Sequence, residues 1–81
     1  MKAKVYITPK QGILDPQGVA IERSLPALGF EGVANVRVGK YIELELPEGE
    51  AAADEVDKMC HKLLANPIIE DFRFELVADA D

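Results

Sequence analysis

Four short stretches of this chain alternate between apolar and polar residues, and this pattern limits the possible folds more than any other feature. In "AKVYIT", residues 3–8, the side chains of Ala3, Val5 and Ile7 share one face. A strand of this kind buries one face and keeps the other polar. The chain is therefore predicted to form one sheet that is covered on a single side. The other three alternating stretches are "VANVRV" at 33–38, "YIELEL" at 41–46 and "EDFRFELV" at 70–77.

The segment after the first strand carries the signals of a helix. Asp15 can accept hydrogen bonds from free backbone N–H groups, and Pro16 suits the first helical position. Gly29 is a natural C-terminal stop. Pro26 removes a backbone donor inside the pattern, so we expect a kink or a tightened last turn there. The predicted apolar face of this helix comprises Ile21, Leu25 and Leu28.

Residues 50–65 form the clearest predicted helix. Acidic residues crowd its first turns, and lysines lie nearer its end, as the helix dipole favours. Asn66 tolerates the left-handed conformation that ends helices, and Pro67 prevents continuation. The predicted apolar stripe comprises Ala52, Val56, Met59, Cys60 and Leu63.

These elements follow one another in the order β-α-β-β-α-β, and Gly39 is predicted to take a positive φ in a tight hairpin between the two middle strands. Right-handed connections then give an α+β two-layer sandwich, with a four-stranded antiparallel sheet and both helices on one face. This is a ferredoxin-like plait, with residues 1–81 as a single domain. The bare face of the sheet is polar, which suits either water or a polar interface between two copies.

The size and charge of the chain narrow its functions. A chain of 81 residues buries only a small core of marginal stability, so oligomerisation would be a natural source of additional stability. The net charge of −6 argues against binding to nucleic acid, which requires a basic footprint, and against an anionic membrane surface. The single cysteine, Cys60, favours a reducing compartment, and no apolar run approaches the 18 residues of a membrane span. We expect a cytoplasmic protein.

No set of residues in this sequence forms a recognisable catalytic group. His61 follows Cys60, but adjacent side chains on a helix point about 100° apart, and Cys60 belongs to the core stripe. Gly39-Lys40 lacks the spacing of a phosphate-binding P-loop, and no helix follows it. The sequence therefore predicts no catalytic, cofactor-binding or metal-binding residue.

Three stretches contain residues that the predicted helices, strands and turns do not by themselves require. They are "LDPQG" at 14–18, "VRVGKYIEL" at 36–44 and "CHKLLANPIIEDF" at 60–72. Together and in this order they closely resemble the PurS family, the small subunit of bacterial and archaeal phosphoribosylformylglycinamidine synthase. The resemblance covers nearly the whole chain, and the fold of that family is the same plait.

This resemblance implies a non-catalytic adaptor in purine biosynthesis. The synthase is a ligase that converts formylglycinamide ribonucleotide to formylglycinamidine ribonucleotide with ATP and glutamine. A synthetase subunit, PurL, uses ATP and magnesium, and a glutaminase subunit, PurQ, releases ammonia. The adaptor is implied to form a homodimer or a tetramer, to join these two subunits for ammonia transfer, and to bind no cofactor itself.

The three motifs also supply candidate contact residues for these partners. Two alternatives remain: a regulatory domain that binds a small ligand between subunits, and a small hydrolase. The hydrolase would require a cationic phosphate loop after the first strand, where the chain offers only Lys10. The candidate contact residues are Asp15, Gln17, Gly18, Arg37, Lys40, Asn66 and Pro67.

Overall fold

Three antiparallel strands form the sheet, and the first strand lies at its centre. In a computed structural model that describes residues 1–78, β1 (Lys2–Pro9) pairs with β2 (Lys40–Glu45) on one side and β3 (Glu70–Val77) on the other. The C-terminal residues 79–81 of the predicted domain lie outside the described residues. The helical elements are α1 (Pro16–Ser24), a 3-10 turn (Pro26–Leu28), α2 (Ala52–Met59) and a π-helical turn (Cys60–Leu64).

The core lies between β1 and α2. Ala3, Val5 and Ile7 project from alternate positions of β1 and are at most 1% exposed. They meet Val56 and Cys60, which are fully buried on the inner face of the helix. The alternation in the sequence therefore correctly predicted which face of β1 is covered, and Cys60 is a core residue as expected.

The fourth predicted strand is absent from the described residues, so the prediction of a four-stranded sheet is wrong. Within residues 33–38, the backbone N–H groups of Val36 and Val38 donate to carboxylates on the α1 side, at 3.0 Å to Glu22 and 2.7 Å to Asp15. Asn35 takes a left-handed conformation, with φ of 60°. Backbone donors that the prediction assigned to a strand ladder are thus satisfied by side chains instead.

Gly39 does not form the predicted tight hairpin, and its φ is not positive. A Cβ atom at this position would lie 2.2 Å from the backbone oxygen of Ile7 and 3.3 Å from the Cα of Thr8. Glycine is required here because the chain passes β1 at very close range before it enters β2.

The start and end of α1 agree with the prediction. The Asp15 side chain accepts the Gly18 N–H at 3.0 Å, and Pro16 occupies the first turn. The helix stops before Pro26, which opens the tightened 3-10 turn, and Gly29 closes that turn with φ of 96°. The capping residues in the sequence therefore correctly predicted where this helix begins and ends.

The packing of α1 differs from the prediction. Both helices were expected to cover one face of the sheet, but α1 makes almost no contact with the strands, and Ile21 and Leu28 of its apolar face are 44% and 70% exposed. The radius of gyration of 16.3 Å exceeds the value of about 12 Å that a compact chain of this length would have. The helix lies beyond the sheet because its partner is the segment around Val36, not the strands.

The end of α2 corrects one core assignment. Leu63 was predicted on the apolar stripe but is 83% exposed, whereas Leu64 packs against the core. The π-helical turn holds more residues than an α-helical turn. The core-facing positions therefore run from Val56 to Cys60 and then to the partly buried Leu64, and Leu63 is turned outward.

We expect Gly39→Ala to destabilise the protein by about 1–3 kcal/mol, because the new methyl group would overlap backbone atoms of β1. Gly49→Ala is the matched control, since a Cβ there meets no atom within 4 Å and φ is not positive. Urea unfolding of both variants measures the difference. Equal stabilities of the two variants would contradict the close passage at Gly39.

Asp15 should make stability depend on pH in the acid range. The N–H donors of Val38 and then Gly18 hold the pKa of Asp15 below its ordinary value of 3.8. A depressed pKa in the folded state contributes stability above pH 3.8, and this contribution is lost as the pH falls through the folded-state pKa. Asp15→Asn should therefore lower the melting temperature at pH 7, and the gap to the parent should narrow toward pH 3. A gap that stays constant with pH would show that the carboxylate charge contributes nothing.

Candidate assembly surface

All three motifs meet at one end of the sheet, which we call the motif end. It is the end where β1 stops and where β2 and β3 begin: Pro9 pairs with Glu70, and Ile7 pairs with Lys40. The loop from β1 to α1, the start of β2 and the loop after α2 all reach this end. Residues that are far apart in sequence are therefore neighbours on one surface.

The Asn66-Pro67 turn is built by hydrogen bonds to Asn66. Its side-chain oxygen accepts the Ile68 N–H at 3.1 Å, and its backbone oxygen accepts the N–H groups of Ile69 and Glu70. The φ of Asn66 is not positive, so the predicted left-handed helix end is wrong. The helix instead stops at Ala65, which is extended, and Asn66 acts by fixing the turn that follows.

Glu70 joins the second motif to the third. Its carboxylate accepts the backbone N–H of Asn66 at 2.7 Å and lies 3.6 Å from the Lys40 ammonium. Beside it, Lys10 binds Asp71 at 2.7 Å, and the Lys10 backbone N–H donates to Ile69 at 2.8 Å. The loop after α2 is thus held to both neighbouring segments, so its outward side chains are presented on a fixed backbone.

The predicted residues of the first motif have different roles. Gln17 is exposed at the start of α1. Gly18 is buried, and a Cβ there would lie 2.4 Å from the Val36 oxygen, so this residue serves packing and is not available as a contact. The Asp15 carboxylate already accepts hydrogen bonds from the backbone N–H groups of Val38 and Gly18. Of the remaining candidates, Arg37, Lys40, Asn66 and Pro67 are all exposed.

The sequence prediction overlooked Ile68. It lies directly after Pro67 and is 82% exposed. Asn-Pro directly before it is a turn signal that could have indicated an outward side chain. The motif end therefore carries an exposed isoleucine as well as the exposed Arg37 and Lys40.

The bare face of the sheet is polar, as predicted. Tyr6 lies between the Tyr41 ring, 5.1 Å away, and the Arg73 guanidinium, 4.0 Å from its centroid. The Tyr41 hydroxyl donates to Glu43 at 2.7 Å, and this bond raises the pKa of Tyr41 to about 12. Tyr41 therefore keeps its proton at neutral pH.

Cys60 is buried in the core, and His61 is exposed on the helix surface. Burial, and then the Asp57 charge, raises the pKa of Cys60, which disfavours the thiolate form that acts as a nucleophile. His61 lies on the helix surface and contacts the Asp57 backbone oxygen at 2.9 Å. No cluster of three metal-ligating side chains occurs among the described residues. None of the described helices is long and apolar enough to cross a bilayer.

Comparison with known proteins agrees with these motifs. The family model "PurS: Phosphoribosylformylglycinamidine (FGAM) synthase" matches residues 2–78. The PurS subunit of Synechocystis is 46% identical over 77 residues, which covers 93% of this chain and 77% of that protein. The Bacillus subtilis subunit is 45% identical and covers 93% of this chain and 90% of its own length.

Two solved structures show the same chain path. Bacillus subtilis PurS superimposes with a TM-score of 0.82 at 44% identity, covering 91% of this chain and 94% of that one. A chain in the structure of PurLQS from Thermotoga maritima superimposes with a TM-score of 0.75 at 32% identity, with 91% and 93% covered. The motifs, the fold and the matches over nearly the full length agree: this chain belongs to the PurS family, the PurS subunits of phosphoribosylformylglycinamidine synthase.

Proposed function

We propose that this chain is the adaptor that joins a PurL synthetase subunit to a PurQ glutaminase subunit. The observation that carries the proposal is its likeness, over 91% of its length, to a chain of the Thermotoga maritima PurLQS assembly. In such an assembly, ammonia released from glutamine passes to the synthetase. Formylglycinamide ribonucleotide is then converted to formylglycinamidine ribonucleotide with ATP, in the cytoplasm.

An adaptor role fits the chemistry of the described residues. Their only thiol is buried and protonated, and their only imidazole is on the surface without a nucleophile beside it. Ammonia transfer requires a closed complex, and a small rigid subunit can bring two larger ones together without reacting itself. ATP and magnesium are bound by the synthetase subunit in this proposal, and this chain binds no cofactor.

The motif end is the surface that we assign to the partner subunits. Its backbone is fixed by the bonds to Asn66 and Glu70, so little conformational entropy is lost when a partner binds. Ile68 supplies an apolar anchor, and Arg37 and Lys40 offer positive charge in a chain of net charge −6. Cations in such a setting attract acidic groups on a partner and orient its approach.

We further propose that the adaptor works as a homodimer or as a dimer of dimers. In a single copy the apolar face of α1 is exposed to water. Because an 81-residue chain buries only a small core, covering this face would add a large share of its buried apolar area. Sedimentation velocity of the isolated protein tests this directly: a monomer at micromolar concentration would refute it.

Reconstitution tests the adaptor role. Separately purified PurL and PurQ subunits are mixed with ATP, magnesium and formylglycinamide ribonucleotide, with and without this chain. Either glutamine or ammonium chloride supplies the nitrogen. We expect glutamine-dependent synthesis to require the chain and ammonia-dependent synthesis to require it much less. If both rates and complex formation are unchanged by the chain, it is not the adaptor, and ligand screening of the isolated protein becomes the next step.

Asn66→Asp should weaken complex formation at least tenfold while the fold is retained. The substituted side chain keeps the oxygen that accepts the Ile68 N–H, but it adds negative charge beside Glu70 on the contact surface. Binding to PurL and PurQ is measured by sedimentation, and circular dichroism checks the fold. Unchanged assembly of a folded variant would remove Asn66 from the contact surface.

Ile68→Ala should also weaken assembly about tenfold, because it removes an exposed anchor from the motif end. Val77→Ala is the control: it removes an exposed apolar side chain from the opposite end of β3 and should leave assembly intact. Both variants should melt close to the parent temperature. Equal binding by the two variants would place the partner contact elsewhere.

A further inference from the structure

Glu70 is a shielded carboxylate at a position of β3 where the alternating pattern calls for an apolar residue. It shares the covered face of the sheet with Phe72 and Phe74, and its side chain is only 18% exposed. A charged group that is withdrawn from water is costly unless it is well bonded, so the bonds of Glu70 indicate its role. The other acids that pair with basic side chains are between 47% and 61% exposed, and they are Glu43, Asp57, Asp71 and Glu75.

Glu70 and Asn66 exchange two hydrogen bonds. The Asn66 N–H donates to Glu70 Oε1 at 2.7 Å, and the Glu70 N–H donates to the Asn66 backbone oxygen at 2.7 Å. Together these bonds join the two ends of residues 67–69, which we call the closed loop. A helix capping box uses the same reciprocal arrangement of side chain and backbone. The acceptor in one of the two bonds is charged, and bonds of that type are the stronger ones.

The closed loop is held by polar contacts and not by packing. Pro67, Ile68 and Ile69 are all exposed, Ile68 by 82%, and the core cluster of residues 1–78 includes none of them. Ile69 is also tied to β1, because its backbone oxygen accepts the Lys10 N–H at 2.8 Å. Exposed apolar side chains gain nothing from burial that would keep them in place. The direction of Ile68 therefore depends on the bonds at the base of the loop.

The second oxygen of Glu70 faces Lys40, but this contact is the weaker of the two. Lys40 Nζ lies 3.6 Å from Glu70 Oε2, which is longer than a hydrogen bond, and the Lys40 side chain is 59% exposed. An ion pair with an exposed partner contributes little, whereas the bond from the Asn66 N–H is short and ends on a shielded charge. The main effect of Glu70 is therefore on the closed loop.

We propose that Glu70 is a positioning residue for partner binding: it closes the loop that presents Ile68 to a partner subunit. Ile68 then enters an apolar pocket of the partner in a preset direction, while Glu70 stays beneath the loop. A loop that is ordered before binding loses less conformational entropy when the complex forms, which strengthens the complex. This inference rests on the proposed adaptor function and adds to it a residue that acts through Ile68.

Two substitutions of Glu70 separate its hydrogen bond from its charge. Glu70→Gln and Glu70→Ala both remove the negative charge, but only glutamine keeps a side-chain oxygen that can accept the Asn66 N–H. Sedimentation velocity measures the binding of each variant to PurL and PurQ. We expect Glu70→Ala to weaken binding about tenfold and Glu70→Gln to stay within about threefold of the parent. Equal losses in the two variants would overturn the proposal.

Glu75→Ala is the matched control for these variants. Glu75 is an exposed acid of the same strand, and its pair with Arg73 lies on the polar face of the sheet. This variant also loses one negative charge and one carboxylate, but it leaves the closed loop intact. It should bind PurL and PurQ as the parent does, and a loss as large as that of Glu70→Ala would overturn the proposal.

A double-mutant cycle tests whether Glu70 acts through Ile68. We expect Ile68→Ala to weaken binding about tenfold in the parent and less than about twofold in the Glu70→Ala background, because a misplaced side chain no longer serves as an anchor. A general loss of stability would lower the folded fraction in both backgrounds and leave the two effects independent. Full additivity of the two losses would therefore overturn the proposal.

Amide hydrogen exchange of the isolated chain tests loop closure without any partner. In Glu70→Ala, the N–H groups of Asn66 and Ile68 should exchange about tenfold faster, while that of Val5 in the central strand should be unchanged. Unchanged protection of Asn66 would overturn the proposal. If the parent itself fails to bind PurL and PurQ, the adaptor role and this inference are both refuted, whereas normal parent binding with full additivity refutes the inference alone.

Discussion

Two carboxylates determine the shape of this molecule. Asp15 and Glu22 accept the backbone N–H groups of Val38 and Val36, and this takes the segment before β2 out of the sheet and fastens it to α1. Hydrogen bonds to charged acceptors are about twice as strong as neutral ones, so the segment is well satisfied without a strand partner. The three-stranded sheet and the detached helix both follow from these two bonds.

The proposed adaptor function depends on the surfaces of the chain. Its one thiol is buried and its polar sheet face is arranged around two tilted tyrosine rings and ion pairs, while the three motifs meet at one end of the sheet. Glu70 connects Lys40 to the Asn66 turn, so a partner would meet a preformed surface.

Sequence reasoning found the elements more reliably than their contacts. The caps at Asp15, Pro16 and Gly29 are local, and the structure has them as predicted. The alternation of apolar and polar residues correctly predicted which face of β1 is covered. In residues 33–38, the same alternation predicted a strand that the structure does not form. That segment is bonded by side chains from 14 and 23 residues away in the chain, which no local pattern can indicate. Leu63 was misplaced because the α-helical period does not hold across a π-helical turn.

The sequence by itself determined the family, the two helices and the central strand, because each depends on residue type and short-range spacing. The tertiary structure alone decided that α1 stands apart from the sheet, that Gly39 is needed for a close passage and not for a turn, and that Ile68 and Leu63 face outward. These are long-range outcomes: they depend on which carboxylate reaches which backbone donor, and that geometry exists only once the chain has folded.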